Sequence, residues 1–435
     1  MTTTHPAPAA GYLESLLAGR PMLPASAHAS LNALRAEAVD RVGALTVPTV
    51  RDEEWRFTDL SPLTRQTFQP VRERVVREVA DAGRFDLGEA ASRLVFVDGV
   101  YAPELSRITA NGPVVANLAT ADAAQGDLAA RHLGRYAVFR DNVFAALNTA
   151  FVHDGALIFV PPASAAAVPV HLLFVARTKG AASYPRCLVV AGRASAATVV
   201  EDYVSLTDGP YFTDAVTEIA LAEDASIDHV RVQREGGQAF HIGSGAVSLA
   251  TGSRFRSVSV ALGARLSRYN LAVEQAAEGA SCTVDGLAVI GGRQLADTHT
   301  SIAHRKPRGV SRQLHKCIVG GAAHAVFNGK IYVHPHAQKT DSSQSSRNLL
   351  LGDRAQVDTK PQLEIFADDV KCAHGATVGR LDADALFYLR SRGLGDAAAR
   401  SLLTYAFGAE IVDRIPLPSL RRQLEATLLA QTQLP

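Results

Sequence analysis

Cys372 and His374 lie two positions apart inside the run KPQLEIFADDVKCAHGATVGRLDADALFYLRSR, Lys360 to Arg392, whose alternating pattern predicts an extended strand around them. Side chains of a strand leave alternate faces, so positions i and i+2 project together. A thiolate and an imidazole on one face are two soft, metal-capable donors. A stable centre usually takes four ligands, so the pair amounts to half a site and needs completion from elsewhere. At Asp382 the apolar period lengthens from about two to about 3.6 residues, which predicts a helix from there on. The candidate chemistry therefore sits where a strand body gives way to helices.

Other residues of the same chemical types carry less. His315 and Cys317 repeat the two-residue spacing, whereas His334 and His336 are separated by Pro335, which suggests a strand end. Cys187, Cys282 and Cys317 stand in apolar or β-rich surroundings and read as buried, inert thiols. Asp368 and Asp369 could serve acid–base hydrolysis, but at a strand entrance they read as solvated turn residues. The sequence contains no GxxxxGK[ST] loop, so no nucleotide is expected on this chain. It also lacks GxSxG, HExxH and a dinucleotide-binding glycine fingerprint, and the Gly-Gly pairs at Gly236, Gly291 and Gly320 read as turns.

The elements that must position the pair follow from composition and pattern. The 435 residues carry 44 Lys and Arg against 43 Asp and Glu, a net charge of +1. That balance points to neither nucleic acid nor an anionic membrane as partner. The four cysteines are scattered with no CxxC, as expected of free thiols in a reducing compartment. With no export signal and no run of about 18 apolar residues, the expectation is a soluble cytoplasmic protein.

Three regions are expected: residues 1–90 as an N-terminal helical region and linker, 91–380 as a β-helix core, and 381–435 as a C-terminal helical region. Leu13, Leu16 and Leu17, then Leu31, Leu34, Ala38 and Val42, recur at helical spacing over about Ala7 to Leu45, broken at Pro21 and Pro24. Trp55, the one tryptophan, lies in a charged connector and reads as an anchor against the body. From Leu94 to Gly379 short β-branched runs follow one another, among them HLLFVAR, CLVVAG and GKIYVHP. Small turn residues Ala225, Ser253 and Ala280 recur 28 and 27 positions apart, and Ala355 and Val370 lie 15 apart, about half that interval. Such a repeat, built of strands without helical crossovers, predicts a β-solenoid with two main strands per coil; a β-sandwich is the alternative. Its open end leaves strand edges to be capped or paired with another chain.

Beyond Leu381, Asp382 is the expected N-cap and Gly393 the stop of a first helix, with a second from about Asp396 to Asp413 and a third after Pro416 and Pro418. In the second helix Ala398, Leu402, Tyr405, Ala409 and Val412 form one stripe and Leu403, Phe407 and Ile411 another. So wide an apolar surface must be buried, on the solenoid or against a partner protein.

The segment KPQLEIFADDVKCAHGATVGRLDADALFYLRSRGL resembles the SufB/SufD family of iron–sulfur cluster assembly proteins, and its SufD branch more closely. NLLLGDRAQVDTKP, AQKTDSSQ, FAALNTAF, FTDAVTEI, EEWRFTDL and the region from PRCLVV to VVEDYV carry the resemblance along most of the chain. SufB-type chains typically have HEA where His374, Gly375 and Ala376 stand, and many have an N-terminal cysteine cluster missing here. Ala373, Tyr184 and Asp214 depart mildly from positions where the family often has serine, histidine and asparagine, and none of these changes removes a ligand.

The resemblance implies a mainly β protein, a right-handed parallel β-helix flanked by α-helical N- and C-terminal regions. It implies a non-catalytic scaffold that forms a heterodimer with SufB through the C-terminal part of the β-helix. The C-terminal helices would bind the ATPase SufC, with Leu402, Tyr405 and Phe407 as partner-binding positions. Sulfur from a cysteine desulfurase system would enter through SufB, and a nascent cluster would form at the interface. His374 matches the family's functional histidine, and Cys372 would be an accessory ligand for transient iron or an Fe–S cluster. A reduced flavin in such a complex is compatible with the resemblance but has no motif here. Two alternatives stay open: a SufB-like homodimeric scaffold that holds clusters unaided, and a cytosolic β-helical carbohydrate-active enzyme.

Overall fold

The computed structural model describes residues 9–20, 26, 28–71, 80–110, 112–166 and 168–432. Ala7, Pro21 and Pro24, at the predicted N-terminal helix start and break, lie outside the described residues.

Successive long strands from Ala196 onward alternate between two sheets, a first of 11 and a second of 10 strands among the described residues, and each later strand pairs in parallel with the one before last. The chain thus winds as a β-solenoid with two main strands per coil, as the repeat predicts. Ser226 pairs with Arg254 and Arg254 with Ser281, which reproduces the 28- and 27-residue spacing of the turn residues just ahead of them. Ala355 opens a strand of the first sheet and Val370 one of the second, so their shorter interval is a half coil.

Strands sandwiched between an interior and a covering layer are buried on both faces and read as continuous apolar runs. The run Phe212–Leu221 is buried throughout. Stacked rungs fill the early interior: Phe96 lies 5.1 Å from Phe174, and Phe174 lies 4.8 Å from Tyr203, ring centre to ring centre. Toward the C-terminal end the interior turns polar, with Ser311, Gln313, His315, Ser342, Gln344, Ser346 and Asn348 all buried.

Helices cover the outer faces. On the first sheet, α1 (Ala9–Leu17), α2 (Ala29–Ala44) and α5 (Val143–Phe151) set Tyr12, Leu16, Val42 and Phe144 against Phe212, Phe240 and Leu266, after α3 (Ser61–Thr64) and α4 (Ala123–His132) link the N-terminal layer. Trp55 is an anchor: the Arg268 guanidinium lies over its ring at 3.7 Å and donates to Asp297 at 2.5 Å. A buried clamp holds the segment after α4, where Glu218 accepts from the backbone N–H groups of Gly134, Tyr136 and Ala137 and from Arg186 at 2.5 Å.

The second sheet is covered by α7 (Asp396–Val412) and α8 (Pro418–Thr432), while α6 (Ala383–Ser391) buries no residue and lies against α7. Asp382 caps α6 by accepting from Ala385 N–H, and Gly393 follows it at φ +95, a left-handed conformation that suits glycine. Ile411, Val412, Leu420, Leu424 and Leu428 pack on Val230, Val260 and Leu287 of the sheet. The buried face of α7 shares only Ile411 and Val412 with the predicted stripes. It consists of Ala399, Ser401, Thr404, Gly408, Ile411 and Val412, while Leu402 is 45% exposed. Small residues win that face because the helix lies close; a Cβ on Gly408 would already stand 3.3 Å from Ile318. No helix among the described residues is long and apolar enough to cross a membrane.

A candidate half-site at the open end of the solenoid

Each sheet ends on a strand paired on one side only: Gln356–Ile365 in the first and Lys371–Gly379 in the second. The latter pairs with Asp341–Leu350 in a register that sets Cys372 beside Ser342, His374 beside Gln344 and Ala376 beside Ser346. Residues paired across parallel strands share a face. Because Ser342, Gln344 and Ser346 are buried in the interior, Cys372 and His374 belong to the interior face of the last coil. No further coil covers them. Cys372 is partly buried against the interior apolar cluster, and His374 is exposed at the mouth.

Partial burial pushes the Cys372 thiol up, and Asp341 adds to this while the Ser342 N–H opposes it. Left alone, Cys372 stays a thiol near neutral pH, and an arriving cation must displace its proton. Among the described residues no group of three or more His, Cys, Asp or Glu side chains is placed to hold a metal ion. The structure brings the two predicted donors to one face and leaves them two.

The remaining candidates are accounted for by packing. His315 Nδ1 lies 3.6 Å from Cys317 Sγ, and its ring stacks on Phe327 at 4.4 Å. Burial pushes Cys317 up to about 12 and His315 down to about 3, so both are neutral and sealed inside. Burial likewise raises Cys187 and brings Cys282 to about 12, where Gln275 Nε2 donates to its Sγ at 3.4 Å. His334 follows the strand end at Val333 and meets Arg305 at 3.3 Å; His336 is exposed. Asp368 and Asp369 are exposed turn residues, and Asp369 pairs with Lys339.

The neutral interior histidines give a pH dependence. The folded chain keeps His315 unprotonated down to about 3 and His304 down to about 4, whereas the unfolded chain protonates both below about 6.5. Their contribution is fully present above the unfolded value and is lost as pH falls through that window. Since His299, raised by Asp297 and Glu54 against its burial, acts in the opposite direction, a difference measurement isolates the effect. His315→Asn should make urea stability depend less steeply on pH between 6 and 4, by on the order of 1 kcal/mol per pH unit. Parallel wild-type and variant slopes would contradict it.

Sequence reasoning passed over two features. Phe387 and Tyr388 of α6 are 73% and 57% exposed, beside the 45% of Leu402 on α7. Tyr405 and Phe407 are partly buried, and the Lys316 ammonium lies 4.3 Å from the Phe407 ring centre. Gln344, directly behind His374, read as one polar residue among the serines of DSSQSS; only the 30-residue register to the next coil could have singled it out.

Comparison with known proteins accords with this architecture. The family model described as SUF system FeS cluster assembly, SufBD core domain, matches residues 174–407, and that of the SufBD protein N-terminal region matches residues 8–172. The chain is 42% identical over 414 residues to the iron-sulfur cluster assembly SufBD family protein slr0076 of Synechocystis, covering 92% of this chain and 90% of that protein. It is 36% identical over 389 residues to the iron-sulfur cluster assembly protein SufD of Escherichia coli, covering 88% of each. Protein ABCI7, chloroplastic, of Arabidopsis thaliana is 30% identical over 434 residues, covering 94% of this chain and 87% of that protein.

Proposed function

The chain belongs to the SufBD family of iron–sulfur cluster assembly proteins, and from that premise we propose that it is the SufD-type, non-catalytic scaffold subunit of a complex with SufB and SufC. The observation that carries the reading is the coincidence of an unpaired strand edge with two ligand side chains at the open mouth. An unpaired edge offers a row of backbone donors and acceptors to a second chain. A SufB solenoid added there would bring its own ligands to the two present here and complete a site that this chain holds by half. In this reading His374 is the principal ligand and Cys372 an accessory one. The cargo is transient iron or a nascent Fe–S cluster, and few ligands suit a cluster that must leave again. Sulfur reaches the site by way of SufB from a cysteine desulfurase system.

The family assignment leaves no ground for the carbohydrate-enzyme alternative, and the acidic pair it rested on lies in a solvated turn. The ATPase SufC docks on the C-terminal helices, where Phe387, Tyr388 and Leu402 are exposed apolar side chains. Tyr405 and Phe407 support that surface from their partly buried positions. Anchors of this kind contribute about 2 kcal/mol each, so Phe387→Asp with Leu402→Asp should weaken retention of SufC more than about tenfold, with SufB retention unchanged. Undiminished SufC retention by the double variant would move the docking site elsewhere. Co-purification from a strain expressing all three chains tests the whole assignment, and a chain that captures neither SufB nor SufC would contradict it.

A further inference from the structure

Behind His374 the solenoid interior carries a ladder of amides. One interior column runs Val284, Gln313, Gln344, His374, one residue per coil of the second sheet. Gln313 Nε2 donates to Thr300 Oγ1 at 2.9 Å, and Gln344 Nε2 donates to Gln313 Oε1 at 2.7 Å. Each step hands the donor of one coil to the acceptor of the coil before it. The opposite sheet makes room for this: a Cβ on Gly329 would stand 1.9 Å from Gln344 Nε2. With its nitrogen committed backward, Gln344 keeps Oε1 buried and without a hydrogen-bond partner. Leaving a buried polar group unsatisfied costs about 1–3 kcal/mol, so an orphaned acceptor in an otherwise matched ladder marks a missing donor. The next rung, about 4.8 Å on, is His374.

We propose that Gln344 is the positioning residue of His374: its Oε1 accepts the N–H of one imidazole nitrogen. That bond fixes the ring in one tautomer and turns the other nitrogen, with its lone pair, out of the mouth. A metal-binding histidine commonly donates its second N–H to such an acceptor, which orients the ring and raises its basicity. Here the acceptor is neutral and is itself held by two further coils. In the structure Oε1 is unpartnered and His374 is exposed, so the bond forms when the ring turns inward toward Gln344, which requires no metal. The inference rests on His374 being a ligand, but the tautomer can be observed in the metal-free chain, so the two can fail separately.

The test is imidazole ¹⁵N–¹H correlation on the metal-free full chain labelled at histidine, at a pH where His374 is neutral, with the His374 signals assigned by their loss in His374→Gln. The expected wild-type result is a single His374 tautomer. In Gln344→Met the ring should relax to a mixture of both tautomers while the buried His304 and His315 signals stay in place. Gln344→Asn, too short to reach, should behave like Gln344→Met and serves if the methionine variant does not fold. A tautomer mixture already present in the wild type, or a single tautomer unchanged in either variant, overturns the proposal. In the complex with SufB and SufC, Gln344→Met should weaken iron retention about 10–100-fold with subunit stoichiometry unchanged. Iron retention left intact by His374→Gln would instead sink the ligand reading, whatever the tautomer shows.

Discussion

His374→Ala should abolish cluster assembly by the three-subunit complex while the chain remains folded and bound to its partners. The side chain is exposed at the mouth of the last coil, so its loss removes little packing. Substitutions at such positions usually change stability by no more than about 0.5 kcal/mol. The chemical loss is of another order. With two donors on this chain, removing the imidazole leaves only a thiol whose proton is held more firmly than usual by burial. Loss of a residue that merely supports a ligand costs about 10–100-fold, and loss of the ligand should exceed that. Cys372→Ser should fall between wild type and His374→Ala, as expected of an accessory donor. Both variants are to be compared by anaerobic reconstitution, with urea unfolding and size-exclusion chromatography as controls. A His374→Ala chain that unfolds or no longer pairs with SufB would make the histidine structural.

The largest stability effect is expected at the Arg186–Glu218 clamp. Both side chains are fully buried, and the carboxylate satisfies three backbone N–H groups of residues 134–137 besides the guanidinium. Arg186 donates in turn to Asn148 Oδ1 and the Thr149 hydroxyl of α5. Glu218→Ala would strand a buried cation and three donors, a loss of about 3–5 kcal/mol in urea unfolding. The desolvation penalty falls on both ions, so Arg186→Met combined with Glu218→Leu should recover part of the loss. A single variant within about 1 kcal/mol of wild type would show that water enters and solvates the pair.

Much of this architecture is legible in the sequence, for definite reasons. Parallel coils stack in register, so Ala225, Ser253 and Ala280, each closing a tight turn before a strand, recur at the length of one coil. Asp382 and Gly393 bound α6 because few other residues serve a helix start or a left-handed stop so well. Cys372 and His374 share a face because a strand admits no other arrangement of i and i+2.

The packing of α7 was legible only in part: Ile411 and Val412 of the predicted stripes are buried, and the rest of the buried face is not among them. Size and hydropathy mark Leu402 and Tyr405 as the buried stripe, but a helix lying close against a sheet selects small residues such as Ala399, Ser401 and Gly408. The polar interior was hidden for a related reason. The run DSSQSSRNLL is polar over its first half, yet Ser342, Gln344 and Ser346 are buried inside, and Ser342 and Gln344 bond to the preceding coil. Hydrogen bonds between coils join residues about 30 positions apart, and no local pattern announces them.

The central claim is that this chain holds half of a site completed by a second solenoid at its open edge. Iron and sulfide content, with Mössbauer spectra, should be measured after anaerobic reconstitution of the isolated chain and of its complex with SufB and SufC, both at equal protein concentration. The expected result is a cluster in the complex, lost with His374→Ala, and no retained iron or sulfide on the isolated chain after desalting. A stable, stoichiometric cluster on the isolated chain would contradict it.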